Sequence, residues 1–132
     1  MSIKSSQTLV EEAKKNIETL NSGEVKLLAE KKGITLIDIR DIRELWKEGT
    51  IENSMHIPRG MLEFWLDPDS SYYKKNKIYN MKKMVLFCAL GLRSALATKS
   101  LKEMGFENVA HVDGGFDSLK KSGFTVIQKK KK

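Results

Sequence analysis

Apolar residues fall along this chain in two patterns, one helical and one of short continuous runs. Leu9, Ala13 and Ile17 recur every four residues and predict a helix over residues 8–16. A short extended piece over 17–20 comes next. Ser22 is a candidate cap for a helix over 23–32, buried through Val25, Leu27, Leu28 and Ala29 and stopped by Gly33. The run ITLIDIR, 34–40, is short, apolar and β-branched, as a buried parallel strand is. Residues 41–48 read as a short helix ended by Gly49, and 54–58 as a short strand closed by Pro58. Residues 67–80 are rich in Ser, Tyr, Lys and Asn and read as a loop holding at most one helical turn. The run MVLF, 84–87, is the clearest buried strand, succeeded by a helix over 94–104 with Ala97, Leu101 and Met104 on one face. A strand over 109–112, the turn Asp113-Gly114-Gly115 and a helix over 116–121 complete the series. This alternation predicts an α/β fold, with a mainly parallel sheet and helices on both faces. Sites in such sheets form where loops leave the carboxyl ends of strands.

The 132 residues suit one domain with room for a real core. The net charge is +7, and four of the positive charges lie in Lys129-Lys130-Lys131-Lys132, which leaves the body at +3 (7 − 4). No aromatic residues interleave with this tail and no basic amphipathic helix accompanies it, so neither nucleic acid nor a membrane is the expected partner. A single cysteine excludes an intramolecular disulfide and a multi-cysteine metal site. His56 and His111 lack metal-ligand spacing and read as structural or surface residues, and no metal or cofactor is expected. No apolar leader opens the sequence, and the nearly apolar run 84–92 is too short to span a bilayer. The expectation is a soluble, cytoplasmic protein in a reducing compartment.

That cysteine, Cys88, ends the strand 84–87. Cysteine is among the most buried residue types, so burial in the core is one reading. The next six residues favour another. Ala89, Leu90, Gly91, Leu92 and Arg93 connect the strand to a helix near Ser94. A short loop of this kind turns successive backbone N–H groups toward one centre, and Gly91 permits the backbone angles required. The helix N-terminus adds partial positive charge, and Arg93 a full charge if its side chain stays nearby. All three favour an anion where the Cys88 sulfur sits.

The pattern Cys88-Ala89-Leu90-Gly91-Leu92-Arg93-Ser94 resembles the active-site loop of single-domain rhodanese-like sulfurtransferases, commonly Cys-x-x-Gly-x-Arg-Ser. Leu36-Ile37-Asp38-Ile39-Arg40 with Glu44 resembles that family's Asp-x-Arg strand and its glutamate. Gly49-Thr50-Ile51 through His56-Ile57-Pro58 and Asp113-Gly114-Gly115-Phe116 match two further segments. The matches run in order over residues 17–127, leaving 1–16 as an N-terminal helical extension and 128–132 as a basic tail. The resemblance implies a three-layer fold on a five-stranded parallel sheet. It also implies an enzyme that moves sulfane sulfur from thiosulfate or a persulfide to a thiol or cyanide through a Cys88 persulfide, working as a monomer or homodimer. The loop residues 89–94 would bind the substrate.

Departures from the pattern qualify this. Thr50 stands where histidine is common, Phe116 replaces tryptophan, and one extra residue separates Glu44 from Gly49. Ala89, Leu90 and Leu92 occupy positions often polar or basic in thiosulfate-using members, which favours an apolar or protein-borne donor. Asp38 and Arg40 are expected to make structural ion pairs near the strand end, with Glu44 as a partner for Arg40. Arg59 either lines the mouth or is a solvated surface arginine. Trp65, Tyr72 and Tyr73 are placed in the long loop, as a substrate lip or as packing. Two other functions stay open. One is a non-catalytic sulfur carrier or protein-binding module. The other is a cysteine-dependent phosphatase or arsenate reductase, whose loop carries five residues between Cys and Arg where this one has four.

Overall fold

A computed structural model describes residues 2–73 and 82–131. Among these, the strands are β1 (Glu18–Leu20), β2 (Ile34–Asp38), β3 (Thr50–Ile51), β4 (Met55–His56), β5 (Lys83–Phe87), β6 (Val109–Val112) and β7 (Val126–Ile127). The helices are α1 (Ser6–Lys14), α2 (Ser22–Glu30), α3 (Ile42–Glu48), α4 (Leu62–Leu66), α5 (Leu92–Met104) and α6 (Gly115–Lys121). Five strands form one parallel sheet in the order β1-β6-β5-β2-β4. The chain winds outward from β2 to β4, then returns to β5 and winds the other way to β6. The reversal lies between β2 and β5, where α/β sheets open their binding crevice.

Strand alternation sorts the core into two layers. Ile37, Met84, Leu86 and Val109 face α4 and α5, where Leu62, Leu66, Ala97 and Leu101 pack against them. Leu36, Val85, Phe87, Ala110 and Val112 face the other way, toward Val25 of α2 and Phe116 and Leu119 of α6. The architecture is therefore the three-layer α/β fold the sequence predicts. Helix α1 packs Val10 and Ala13 on Ala95 of α5.

Local chemistry fixes the helix ends. Asn21, not Ser22, caps α2: its side chain accepts from Glu24 N–H while the Glu24 carboxylate accepts from Asn21 N–H. Asp41 and Glu44 make the same reciprocal arrangement at α3. Helix α1 starts at Ser6, two residues earlier than the periodicity predicts, because Ser5 caps it. Trp65 lies on α4 and packs against the core, not in the long loop. Tyr72 and Tyr73 lie beyond α4, with Tyr72 edge-on to Phe64 at 6.2 Å. Residues 74–80 of the predicted loop lie outside the described residues. No helix among the described residues is long and apolar enough to cross a membrane.

Candidate functional site

Residue 88 comes directly after the central strand, and its side chain continues the inward alternation of Met84 and Leu86. Cys88 is accordingly only 1% exposed. The sulfur expected at an open strand end is enclosed, so both features read from the sequence hold at once: burial, and a loop built around the sulfur.

The backbone explains the enclosure. Two helices start beside Cys88, and both have a glycine at the capping position, Gly91 for α5 and Gly114 for α6. Glycine has no side chain to accept from the unpaired N–H groups of a first helical turn. Residue 88 accepts in its place, twice. Its Sγ accepts from Ser94 N–H of α5 at 3.4 Å and from Gly91 N–H at 3.2 Å. Its carbonyl oxygen accepts from Phe116 N–H of α6 at 2.8 Å, and the Ala89 carbonyl from Asp117 N–H at 3.5 Å. With those carbonyls drawn to α6, the loop's N–H groups turn to the sulfur. Gly115 permits the close approach: its φ is +57°, and a Cβ there would sit 2.3 Å from the Cys88 carbonyl oxygen. Gly91 likewise has φ +100° and would meet Gly114 N at 3.2 Å.

Ser94 completes the surroundings. Its Oγ is 3.6 Å from Sγ, the thiol donating, and 3.0 Å from His111 Nδ1. His111 Nε2 lies 3.0 Å from Thr19 Oγ1. Burial lowers the His111 pKa to about 4, with Lys14 adding to the effect and Asp113 opposing it, so the ring is neutral at pH 7. Its sequence spacing alone marks His111 only as structural or surface. The signal that locates it is alternation: Val109 and His111 share a sheet face with Leu86 and Cys88.

Arg93 does not turn to the sulfur. It forks onto Glu44 with Nη1–Oε1 at 2.7 Å and Nη2–Oε2 at 3.0 Å. That fork holds the Glu44 pKa below the usual carboxylate range and raises that of Arg93. Glu44 is therefore the partner of Arg93, not of Arg40. Arg40 is fully buried and bonds Asp38, with Nη2–Oδ2 at 2.8 Å and Nε–Oδ1 at 3.0 Å, and the Gly49 carbonyl at 2.7 Å. Thr50 Oγ1 donates to Asp38 at 2.7 Å, and the Arg40 guanidinium lies 4.0 Å from the Phe116 ring centre. Two of the departures from the family pattern, Thr50 and Phe116, thus serve this network, on the sheet face opposite the sulfur. Arg59 pairs with Glu63 at 2.8 Å, which also accepts from Ser100, so its charge is matched at the side of α4. Leu90 and Leu92 are 65% and 57% exposed, an apolar rim on the loop, while Ala89 is half-buried. Among the described residues no cluster of three His, Cys, Asp or Glu side chains is placed to hold a metal.

The fold is shared with known proteins. A protein of unknown function from Rhodopseudomonas palustris, described as a possible tyrosine phosphatase, has a similar structure: TM-score 0.88, 39% identity, 96% of this chain and 98% of its own covered. The polysulfide-sulfur transferase homodimer of Wolinella succinogenes gives TM-score 0.69 at 34% identity, covering 93% of this chain and 87% of that one. The mouse thiosulfate sulfurtransferase/rhodanese-like domain-containing protein 3 is 30% identical over 70% of this chain and 62% of its own length. The chain spans from 26% to 62% of the length of the curated relatives it matches. The family model for the rhodanese-like domain matches residues 21–122. The chain belongs to the rhodanese-like domain family.

Proposed function

We propose that this protein is a sulfurtransferase that carries sulfane sulfur on Cys88. The observation that supports this best is the pair of backbone N–H groups, from Gly91 and Ser94, aimed at Sγ in an enclosed site. Donors fixed before reaction stabilise an anion without reorganising, and they do so most where water is excluded. The thiolate of Cys88 attacks the outer sulfur of thiosulfate or of a persulfide. A new S–S bond forms, the donor's S–S bond breaks, and sulfite or a thiolate leaves. An acceptor thiolate or cyanide then attacks the outer sulfur of the Cys88 persulfide and regenerates the thiolate. No redox cofactor or metal enters this scheme. The leucine rim of Leu90 and Leu92 favours an apolar or protein-borne donor over free thiosulfate.

The reduced protein is incubated with thiosulfate or with glutathione persulfide, freed of excess and weighed by intact-mass spectrometry. The expected result is a gain of one sulfur that cyanide removes and that Cys88→Ser lacks. Absence of any adduct with either donor rejects the reading in favour of a binding module, which the burial of Cys88 favours as second choice. Hydrolysis of a phosphate monoester, lost in Cys88→Ser, would instead support a phosphatase. Against that stand the four-residue gap between Cys88 and Arg93 and the commitment of Arg93 to Glu44.

A further inference from the structure

We propose that Ser94, His111 and Thr19 form a hydrogen-bond relay that carries the Cys88 proton between the enclosed sulfur and solvent at the exposed Thr19 of strand β1. The proposal rests on the sulfur-transfer reading, in which the resting thiol must give up its proton before Cys88 attacks a donor. An enclosed thiol needs a route for its proton, and the sulfur itself is only 1% exposed. Three contacts supply one in series: Sγ to Ser94 Oγ at 3.6 Å, Ser94 Oγ to His111 Nδ1 at 3.0 Å, and His111 Nε2 to Thr19 Oγ1 at 3.0 Å. The far end, Thr19, is exposed. Parallel register places Thr19 directly beside His111, which fixes the last contact through the sheet.

A neutral imidazole has one N–H and one acceptor nitrogen, so the chain has a direction. With Cys88 as a thiol, S–H donates to Ser94 Oγ, Ser94 O–H to Nδ1, and Nε2–H to Thr19 Oγ1. On ionisation the sulfur proton moves to Ser94 Oγ and the Ser94 proton to Nδ1. The Nε2 proton moves to Thr19 Oγ1, and the Thr19 hydroxyl proton passes to water. One S–H bond breaks, one proton reaches solvent, no electron changes hands, and the ring stays neutral as its other tautomer. The chain then runs in reverse, and Ser94 O–H donates to the sulfur anion beside the two backbone N–H groups. Burial keeps His111 neutral at pH 7, against a pKa of about 4, as both directions of the chain require.

The test uses the full chain with Thr19→Val, which removes the hydroxyl at nearly constant shape, and Thr19→Ser, which keeps it. Reduced proteins are alkylated with iodoacetamide, a neutral reagent, and separately loaded from thiosulfate in single turnover. Thr19→Val is expected to slow alkylation about fivefold, the worth of one hydrogen bond. Thr19→Ser is expected to stay near wild type, and Thr19→Val to remain fully folded at the assay temperature with a thermal midpoint lowered by a few degrees at most. Wild-type alkylation in Thr19→Val overturns the relay, and so does a Thr19→Ser variant as slow as Thr19→Val. Nitrogen-15 shifts of His111 that show a doubly protonated ring at pH 7 overturn it as well. If the three proteins alkylate in the expected order but wild type takes sulfur from no donor, the relay stands and the sulfur-transfer reading fails.

Discussion

Two polar centres lie at the carboxyl ends of neighbouring strands, on opposite faces of one sheet. After β2, Asp38 and Arg40 are a full ion pair: both are completely buried, and the pair is bonded further by Thr50 and the Gly49 carbonyl. After β5, Cys88 holds its sulfur among donors placed for a charge. The first centre has its charges already matched within the fold. Among the described residues, only Arg40 Nη1 there lacks a hydrogen-bond partner, and Glu48 lies 3.8 Å from it. The second keeps its donors uncommitted to any anion. Burial therefore says little about role. On the proposed sulfur-transfer reading, what separates the two is whether the charge is part of the fold or arrives with the chemistry.

Breaking the first centre has the largest expected effect on stability. Arg40→Met leaves the Asp38 carboxylate buried and unpaired, at a cost of about 3–5 kcal/mol. Thermal unfolding checks this, and adding Asp38→Leu should recover more than half of the loss, since a buried pair replaced by apolar residues is nearly neutral. No recovery in the double variant would mean that the pair also orders the loop at Gly49. On the other face the pH dependence has a definite sign. His111 titrates near 4 when folded and near 6.5 when unfolded. Between those values the unfolded chain binds the extra proton, so stability is fully present above pH 6.5, falls as pH drops toward 4, and is flat below. The difference amounts to about 3 kcal/mol at most. Urea unfolding at pH 7 and pH 4.5 measures it, and His111→Leu should remove this part of the slope. An unchanged slope in that variant would assign the acid sensitivity to carboxylates instead.

How much of this could be read from the chain depends on how local each feature is. Strands β2 and β5 are short, mostly apolar runs, and the sequence marks them plainly because both faces are covered. The glycines at 91, 114 and 115 also stand out. Helix α4 does not, since five residues carry too little periodicity, only Leu62 and Leu66 one turn apart. The β3–β7 pair joins Thr50 to Ile127, two-residue strands with no pattern of their own. The partner of Arg93 is hidden for the same reason. Nothing near Arg93 shows that its carboxylate partner lies 49 positions earlier, and Arg40 has a nearer partner in Asp38 than in Glu44. His111 is within reach of the sequence: a four-residue strand, all buried, sets its inward face.

The smallest expected effect on stability tests Arg93, which both centres leave at the boundary. Its guanidinium is half-exposed and forked onto Glu44, so its charge is largely answered before any donor arrives. Glu44→Gln removes that answer. Glutamine serves the capping box of α3 as glutamate does, and a half-exposed pair of this kind contributes about 1 kcal/mol, so the fold should be little affected. The unbalanced Arg93 then adds a full positive charge beside the loop. Loading from anionic thiosulfate should speed up a few-fold at low salt and lose that gain at high salt, while a neutral reagent such as iodoacetamide should show less salt dependence. Equal rates in variant and wild type at every salt concentration would mean that Arg93 is in place to stiffen the loop through Glu44, and that the backbone N–H groups hold the anion without it.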